Sequence, residues 1–363
     1  MTSIALMSGA SLPQLSTFTL TETVIEGALA PGRRVAVTRK VVMFAGQGTQ
    51  YRGMGGDDLA AYPELVAQAD EALGYSIARL CLEDPDDQLG STRYTQPAVF
   101  VTNALAWRRH RDEGASVGDV YLGHSLGEIN ALEAAGALDF TSALRLVRAR
   151  AKAMAEITGG GMLAVLGLAP DVLIEITRQH ADLGVSVANL NTPSQTVLAG
   201  PRRGLAAIRD VVASAGAAKT VDLPVSGPFH CELMAPAAAA LEPVLRSITF
   251  GTATAPVVSN VTARPYEGEP ATLLIRQITE PVRWAASISA LVDEDTEFIE
   301  PGGSSTLGSM LRQIRRAVPP PGCHRLRPPR GRWPRQPVFR PTSSVREACF
   351  KRDGRASIAK EVP

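Results

Sequence analysis

The pentapeptide GHSLG, Gly123 to Gly127, carries the sharpest chemical signal in the chain. It fits Gly-x-Ser-x-Gly, in which a serine sits on a tight strand-to-helix turn. Small residues on both sides permit that turn, and the serine hydroxyl is thrust outward at the start of a helix. The next backbone N–H, on Leu126, can then stabilise an oxyanion. YLGHS before the serine and LGEINALEAAG after it supply the strand–turn–helix context. The bland alternative is an ordinary glycine-rich β–α turn.

A serine nucleophile needs a base, and the chain has five histidines. His110 lies in the charged run RRHRDE and reads as a surface residue. His180 ends a helix, and His324 lies in a Pro/Arg-rich tail. His124 is next to Ser125, but neighbours at such a turn point apart. His230, in LPVSGPFHCELM, sits where a small unit ends and a larger one resumes. It is the best base candidate; the competing reading is a capping or packed histidine ahead of the next helix.

The elements that must hold these groups alternate. VVMFAG (Val41–Gly46) and VYLGHS (Val120–Ser125) read as buried strands, and AVFVTNALAWRRH after Pro97 reads as a helix. Helices are expected over LGEINALEAAGAL and Thr141–Ile157. That alternation predicts an α/β core with a mostly parallel sheet. After Gly159–Gly161 the order becomes strand, helix, strand, strand, helix, strand, from Met162 to about Pro224, which is a ferredoxin-like βαββαβ unit. ELMAPAAAALEPVLRSI and the strand APVVSNVTA then resume the larger domain. The expected layout is a core of residues 41–161 and 225–316 with 162–224 inserted, and a ligand site in the cleft between them. Residues 1–40 are expected to be a flexible extension and 317–363 a disordered tail.

Composition excludes several classes. Hydrophobic residues are 45% and charged residues 20%, an ordinary globular balance. No apolar run reaches the roughly 18 residues that cross a bilayer, and the N-terminus lacks basic residues ahead of its short apolar run, so a secretory signal is not expected. Cys81, Cys231, Cys323 and Cys349 form no CxxC pair, which argues against a zinc ribbon or disulfide scaffold and for a reducing cytoplasm. The net charge of +1 divides into +2 for residues 1–40, −9 for the middle and +8 for the tail. An acidic body does not predict nucleic-acid binding.

Seven motifs in order resemble one family. They are FAGQGTQYRGMG (Phe44–Gly55), YTQPAVFVTNAL (Tyr94–Leu105), GHSLGE (Gly123–Glu128), RLVRARAKAM (Arg145–Met154), NLNTPSQTVLAG (Asn189–Gly200), PVSGPFH (Pro224–His230) and RQITEPVRW (Arg276–Trp284). Together they resemble the malonyl-CoA:acyl carrier protein transacylases and the acyltransferase domains of polyketide synthases over about 41–285, and FIEPGGSSTLGSMLRQI extends this to about 314. Pro301-Gly302-Gly303-Ser304 stands where the family usually has a Gly-Pro-Gly turn.

The resemblance implies an α/β-hydrolase-like core with the inserted ferredoxin-like subdomain. It implies that Ser125 is acylated by malonyl-CoA and hands malonyl to the phosphopantetheine thiol of an acyl carrier protein, with His230 as acid–base. The backbone carbonyl of Gln277 would orient His230, and the N–H groups of Gln47 and Leu126 would form the oxyanion hole. Arg150 would grip the malonyl carboxylate, which a planar guanidinium can do with two parallel hydrogen bonds; the alternative is a solvated helix face of Arg145, Arg148 and Arg150. Phe229 would limit room for an α-methyl group, and Asn191 and Gln195 would take minor binding roles. No metal or bound cofactor, no membrane and no nucleic acid is implied, and a monomer is. Within the family, the chain resembles discrete enzymes that serve polyketide synthases in trans. The alternatives are a housekeeping fatty-acid transacylase, an acyl hydrolase on the same scaffold, and a non-catalytic carrier-docking protein.

Overall fold

Short parallel strands with buried apolar stretches make the first layer. β1 (Arg39–Phe44, RKVVMF) pairs in parallel with β2 (Val120–Gly123, VYLG), Val41 opposite Val120 and Phe44 opposite Gly123. The crossover that parallel pairing demands carries α1 (Gly56–Ala61), α2 (Pro63–Leu73), α3 (Ile77–Leu82) and α4 (Thr92–Asp112). α5 (Gly127–Ala134) and α6 (Phe140–Ala155) follow β2. The chain then makes β3 (Gly160–Leu166), α7 (Pro170–Gln179), β4 (Ser186–Thr192), β5 (Gln195–Pro201), α8 (Arg202–Ser214) and β6 (Lys219–Asp222). It returns through α9 (Ala235–Ser247), β7 (Val257–Val258), α10 (Ala271–Gln277), α11 (Trp284–Leu291), β8 (Thr296–Ile299) and α12 (Thr306–Ala317). The structure, a computed structural model, describes residues 38–302 and 304–318.

The first sheet has the order β7-β2-β1-β8, parallel throughout. Its period-2 alternation feeds two cores. Val42, Phe44 and Tyr121 point to the side of α4–α6, where Phe100, Trp107 and Leu144 are buried. Val41, Met43, Val120 and Leu122 point to the other side, against Trp284, Ile288, Leu311 and Ile314 of α11 and α12. Both faces are thus covered, as a parallel sheet requires. The second sheet, β4-β5-β3-β6, is antiparallel. One face packs Leu163, Val165 and Leu198 on Leu173, Ile208 and Val212 of α7 and α8. Met162, Ala164 and Ala199 on the other face join the large core. β4 is also tied by backbone to the segment between α10 and α11: Leu190 N–H donates to Val282 O, and Val282 N–H to Ala188 O, each at 2.9 Å.

Several expectations shift. α4 starts at Thr92, so Pro97 lies inside it rather than before it. An interior proline costs about 3 kcal/mol; burial of Thr95, Gln96, Ala98, Val99 and Phe100 around it offsets that cost. The expected strand APVVSNVTA shrinks to β7, because the chain turns back at Ser259, whose N–H bonds Arg264 O. β3 starts within the glycine run, at Gly160, not at Met162. β1 includes Arg39 and Lys40, which the sequence pattern places in the extension, and α12 includes Ala317, which it places in the tail. α1–α3 and β8 carried no signal that was read. The expectations for residues 1–37, for Gly303 and for residues 319–363 lie outside the described residues. Among the described residues, no helix is long and apolar enough to cross a membrane.

Ile314 has no exposure and seals the outer face of the parallel sheet. Ile314→Ala is expected to cost about 2–5 kcal/mol, measured as a lower urea midpoint with an unchanged slope.

Candidate active site

The site begins where two backbones touch. The end of β1 runs against the turn that follows β2. A Cβ on Gly46 would lie 2.3 Å from His124 O, and one on Gly127 would lie 2.2 Å from Phe44 O. Only glycine fits either position. Between these contacts Ser125 takes φ 52°, a left-handed conformation that a non-glycine residue adopts only when its surroundings impose it. Asn260 helps to impose it: its Oδ1 accepts from Ser125 N–H and its Nδ2 donates to Gly123 O, both at 2.7 Å.

His230 comes to this turn from the segment after the second sheet, also at positive φ, 61°. Its Nε2 is 2.7 Å from Ser125 Oγ and its Nδ1 is 2.7 Å from the carbonyl oxygen of Gln277. A carbonyl only accepts, so Nδ1 carries the proton and Nε2 is left to accept from the serine. Burial and the neighbouring Arg150 charge push His230 down to about 3, so it stands neutral. Arg150, on α6, is almost wholly buried. Its guanidinium donates to Ser125 Oγ at 3.1 Å, Gln96 Oε1 at 2.6 Å and Gln277 Oε1 at 2.9 Å. Burial also lowers Arg150, to about 10, leaving it a cation at neutral pH. Arg148, two residues away, points outward to Ala72 O.

Below the serine lies a second set of groups. Glu128, on the first turn of α5, has no exposure. It accepts from Tyr266 Oη, Gln277 Nε2 and Asn260 N–H. Burial pushes its carboxyl up to about 7, and its hydrogen-bond donors oppose that rise. Gln277 Nε2 also donates to Ser125 O at 3.0 Å.

Among the predicted residues, Ser125, His230, Arg150 and the Gln277 carbonyl come together directly. Gln47 and Leu126 lie beside Ser125, one on each backbone; among the described residues neither main-chain N–H has a partner. Gln47 Nε2 is tied to Thr92 Oγ1, at 3.1 Å. Asn191 bonds His124 Nε2 at 2.8 Å, so it braces the turn from β4. Phe229 is buried in the large core with its ring against Gly227. Gln195 opens β5 opposite Leu166, with no side-chain contact to the cluster among the described residues. Gln96, Glu128, Asn260, Tyr266 and the Gln277 side chain were missed. Gln96, Glu128 and Gln277 lie in the quoted motifs and Asn260 in the expected strand APVVSNVTA, with Tyr266 just after it, but nothing in their spacing says that they converge.

A profile described as acyl transferase domain matches residues 41–310. The chain belongs to the acyl transferase domain family. It is 39% identical over 276 residues to the Bacillus velezensis polyketide biosynthesis malonyl CoA-acyl carrier protein transacylase BaeC, covering 75% of this chain and 96% of that one. It is 41% identical over 290 residues to the Burkholderia thailandensis polyketide biosynthesis protein ThaF, covering 79% of this chain but 25% of that one. This chain thus spans only a quarter of one such relative and nearly all of the other. The fold superposes on the crystal structure of a Burkholderia pseudomallei malonyl CoA-acyl carrier protein transacylase with TM-score 0.74 and 39% identity, covering 78% of this chain and 99% of that one.

The depressed His230 has a consequence for the acyl transferase fold. Unfolded histidine titrates near 6.5, so between 6.5 and about 3 the unfolded chain holds a proton that the folded one refuses. Stability supplied by this group is therefore lost as pH falls through that window. In denaturant titrations from about pH 7 to pH 5, the stability difference between wild type and His230→Asn is expected to shrink as pH falls.

Proposed function

We propose that the protein transfers malonyl from coenzyme A to the phosphopantetheine thiol of an acyl carrier protein through an ester on Ser125. The observation that carries this reading is a buried guanidinium, Arg150, in hydrogen-bond contact with the Ser125 hydroxyl. A desolvated cation beside a nucleophile selects an acyl group that brings its own carboxylate. The likeness to BaeC and to the superposed structure, both malonyl CoA-acyl carrier protein transacylases, supports the same chemistry, and the likeness to the polyketide biosynthesis proteins BaeC and ThaF supports a polyketide role, which we read as served in trans.

In the first half-reaction His230 Nε2 takes the Ser125 proton as Oγ attacks the thioester carbonyl. The N–H groups of Gln47 and Leu126 receive the developing oxyanion. The C–S bond breaks, and the imidazolium returns its proton to the leaving thiol. In the second half the carrier thiol gives its proton to His230, attacks the ester, and Ser125 regains a proton. Arg150 holds His230 down while no carboxylate lies directly on its guanidinium. A malonyl carboxylate on Arg150 cancels that charge and makes the imidazole more basic, so the base strengthens when the right substrate is seated. Phe229 restricts the α-position, a preference worth about 1–3 kcal/mol per methyl. Asn191 and Gln195 take minor binding roles, Asn191 by bracing His124. Acyl exchange between sulfur and oxygen changes no oxidation state, so no resident cofactor is inferred. We read the second sheet as a ferredoxin-like insertion of residues 162–224 in an α/β-hydrolase-like core of residues 41–161 and 225–316 that carries the serine. Buried free Cys81 and Cys231 suit a reducing cytoplasm.

The test is intact-mass spectrometry after brief exposure to malonyl-, methylmalonyl- or acetyl-CoA, followed by phosphopantetheinylated carrier protein. A malonyl adduct that moves to the carrier is expected, whereas loss to water at the same rate with and without carrier would overturn transfer. Ser125→Ala is expected to take no adduct. Arg150→Ala is expected to lose malonyl preference and gain acetyl or hydrolytic activity; an unchanged preference would remove Arg150 as the anchor.

A further inference from the structure

The three hydrogen-bond partners of Arg150 are neutral: two glutamine carbonyls and a serine hydroxyl. Among the described residues no carboxylate is within ion-pair distance of it. Glu128 is the buried carboxylate reached next along the hydrogen bonds, through Gln277. Donors converge on Glu128 from Tyr266, Gln277, Asn260 and the Ser259 hydroxyl. An ionised carboxylate only accepts and a guanidinium only donates. The Gln277 amide between them must therefore turn Nε2 to Glu128 and Oε1 to Arg150.

We infer that Glu128 is the counter-charge of Arg150, held one amide away through Gln277, and so a positioning residue for the malonyl anchor. A direct ion pair would occupy the donors that a substrate carboxylate needs. No counter-charge at all would leave a buried cation uncompensated. Separation by one amide meets both demands. The same Gln277 presents its main-chain carbonyl to His230, so Glu128 steadies anchor and base through one residue. The inference rests on Arg150 as the carboxylate anchor.

The experiment is a double-mutant cycle of E128Q and R150M, read first as stability at about pH 8, where Glu128 is ionised. In E128Q the new amide group faces the Tyr266 and Ser259 hydroxyls, which rotate to accept it. E128Q is expected to raise the unfolding constant roughly tenfold or more with Arg150 present, and roughly threefold or less in R150M. Additive effects would overturn the coupling. The second reading is acyl-enzyme formation. E128Q is expected to slow malonyl loading roughly tenfold while acetyl loading changes less than roughly threefold, and Glu128→Asp, which keeps the charge, to recover part of the malonyl-to-acetyl ratio. Equal losses for both acyl groups would reduce Glu128 to a support of the serine turn, and unchanged malonyl loading would also reject the inference. Retention of malonyl preference by R150M would instead reject the anchor reading, and the stability cycle would still decide whether the two charges are coupled.

Discussion

The close approach of two main chains, at the end of β1 and at the turn after β2, is the constraint on which the site depends. With Gly46 facing His124 O and Gly127 facing Phe44 O, no side-chain atom separates the strand ends. That contact sets Gly46 against the His124–Leu126 turn and holds Ser125 in a left-handed conformation just before α5. The strain at Ser125 is sustained by what surrounds it: a parallel sheet buried on both faces and an asparagine that grips the turn by both ends of its amide.

Around that contact the protein manages charge in a dry volume. Histidine is kept neutral by burial and a nearby cation, and its tautomer is chosen by a main-chain carbonyl, which supplies direction without a negative charge. Amides take the intermediate places: Gln96 and Gln277 beside the guanidinium, Asn260 at the turn, Asn191 beside His124. Amides carry both donor and acceptor, so they connect charged groups without cancelling them.

The legible parts were those written in local pattern. The Gly-x-Ser-x-Gly turn, the apolar strands around it, and the shift to strand–helix–strand–strand–helix–strand after Gly159 are all short-range signals. The matched order of motifs pointed to Arg150 and the Gln277 carbonyl, which the structure brings beside Ser125 and His230. What stayed hidden depends on contacts distant in the chain. Glu128 lies one helical turn from Ser125, yet its partners Asn260, Tyr266 and Gln277 come from the segment beyond β7, more than a hundred residues away. Pro97 misled for a related reason: local rules end a helix there, and tertiary burial continues it. β8 was overlooked because TEFI is short and only its place beside β1 makes it a strand.

The backbone pairing of Val282 with β4 gives the molecule a mechanical linkage. Val282 follows Gln277 by five residues, and β4 carries Asn191, which braces His124. The second sheet, the carbonyl that accepts from His230 and the residue beside Ser125 are therefore joined through one run of hydrogen bonds. A hinge that swung this sheet away from the core would pull the base out of line at the same moment. On the proposed reading, a long acyl-donor arm would have to reach Ser125 with this linkage left closed, by small side-chain adjustments and not by a gate that opens and shuts.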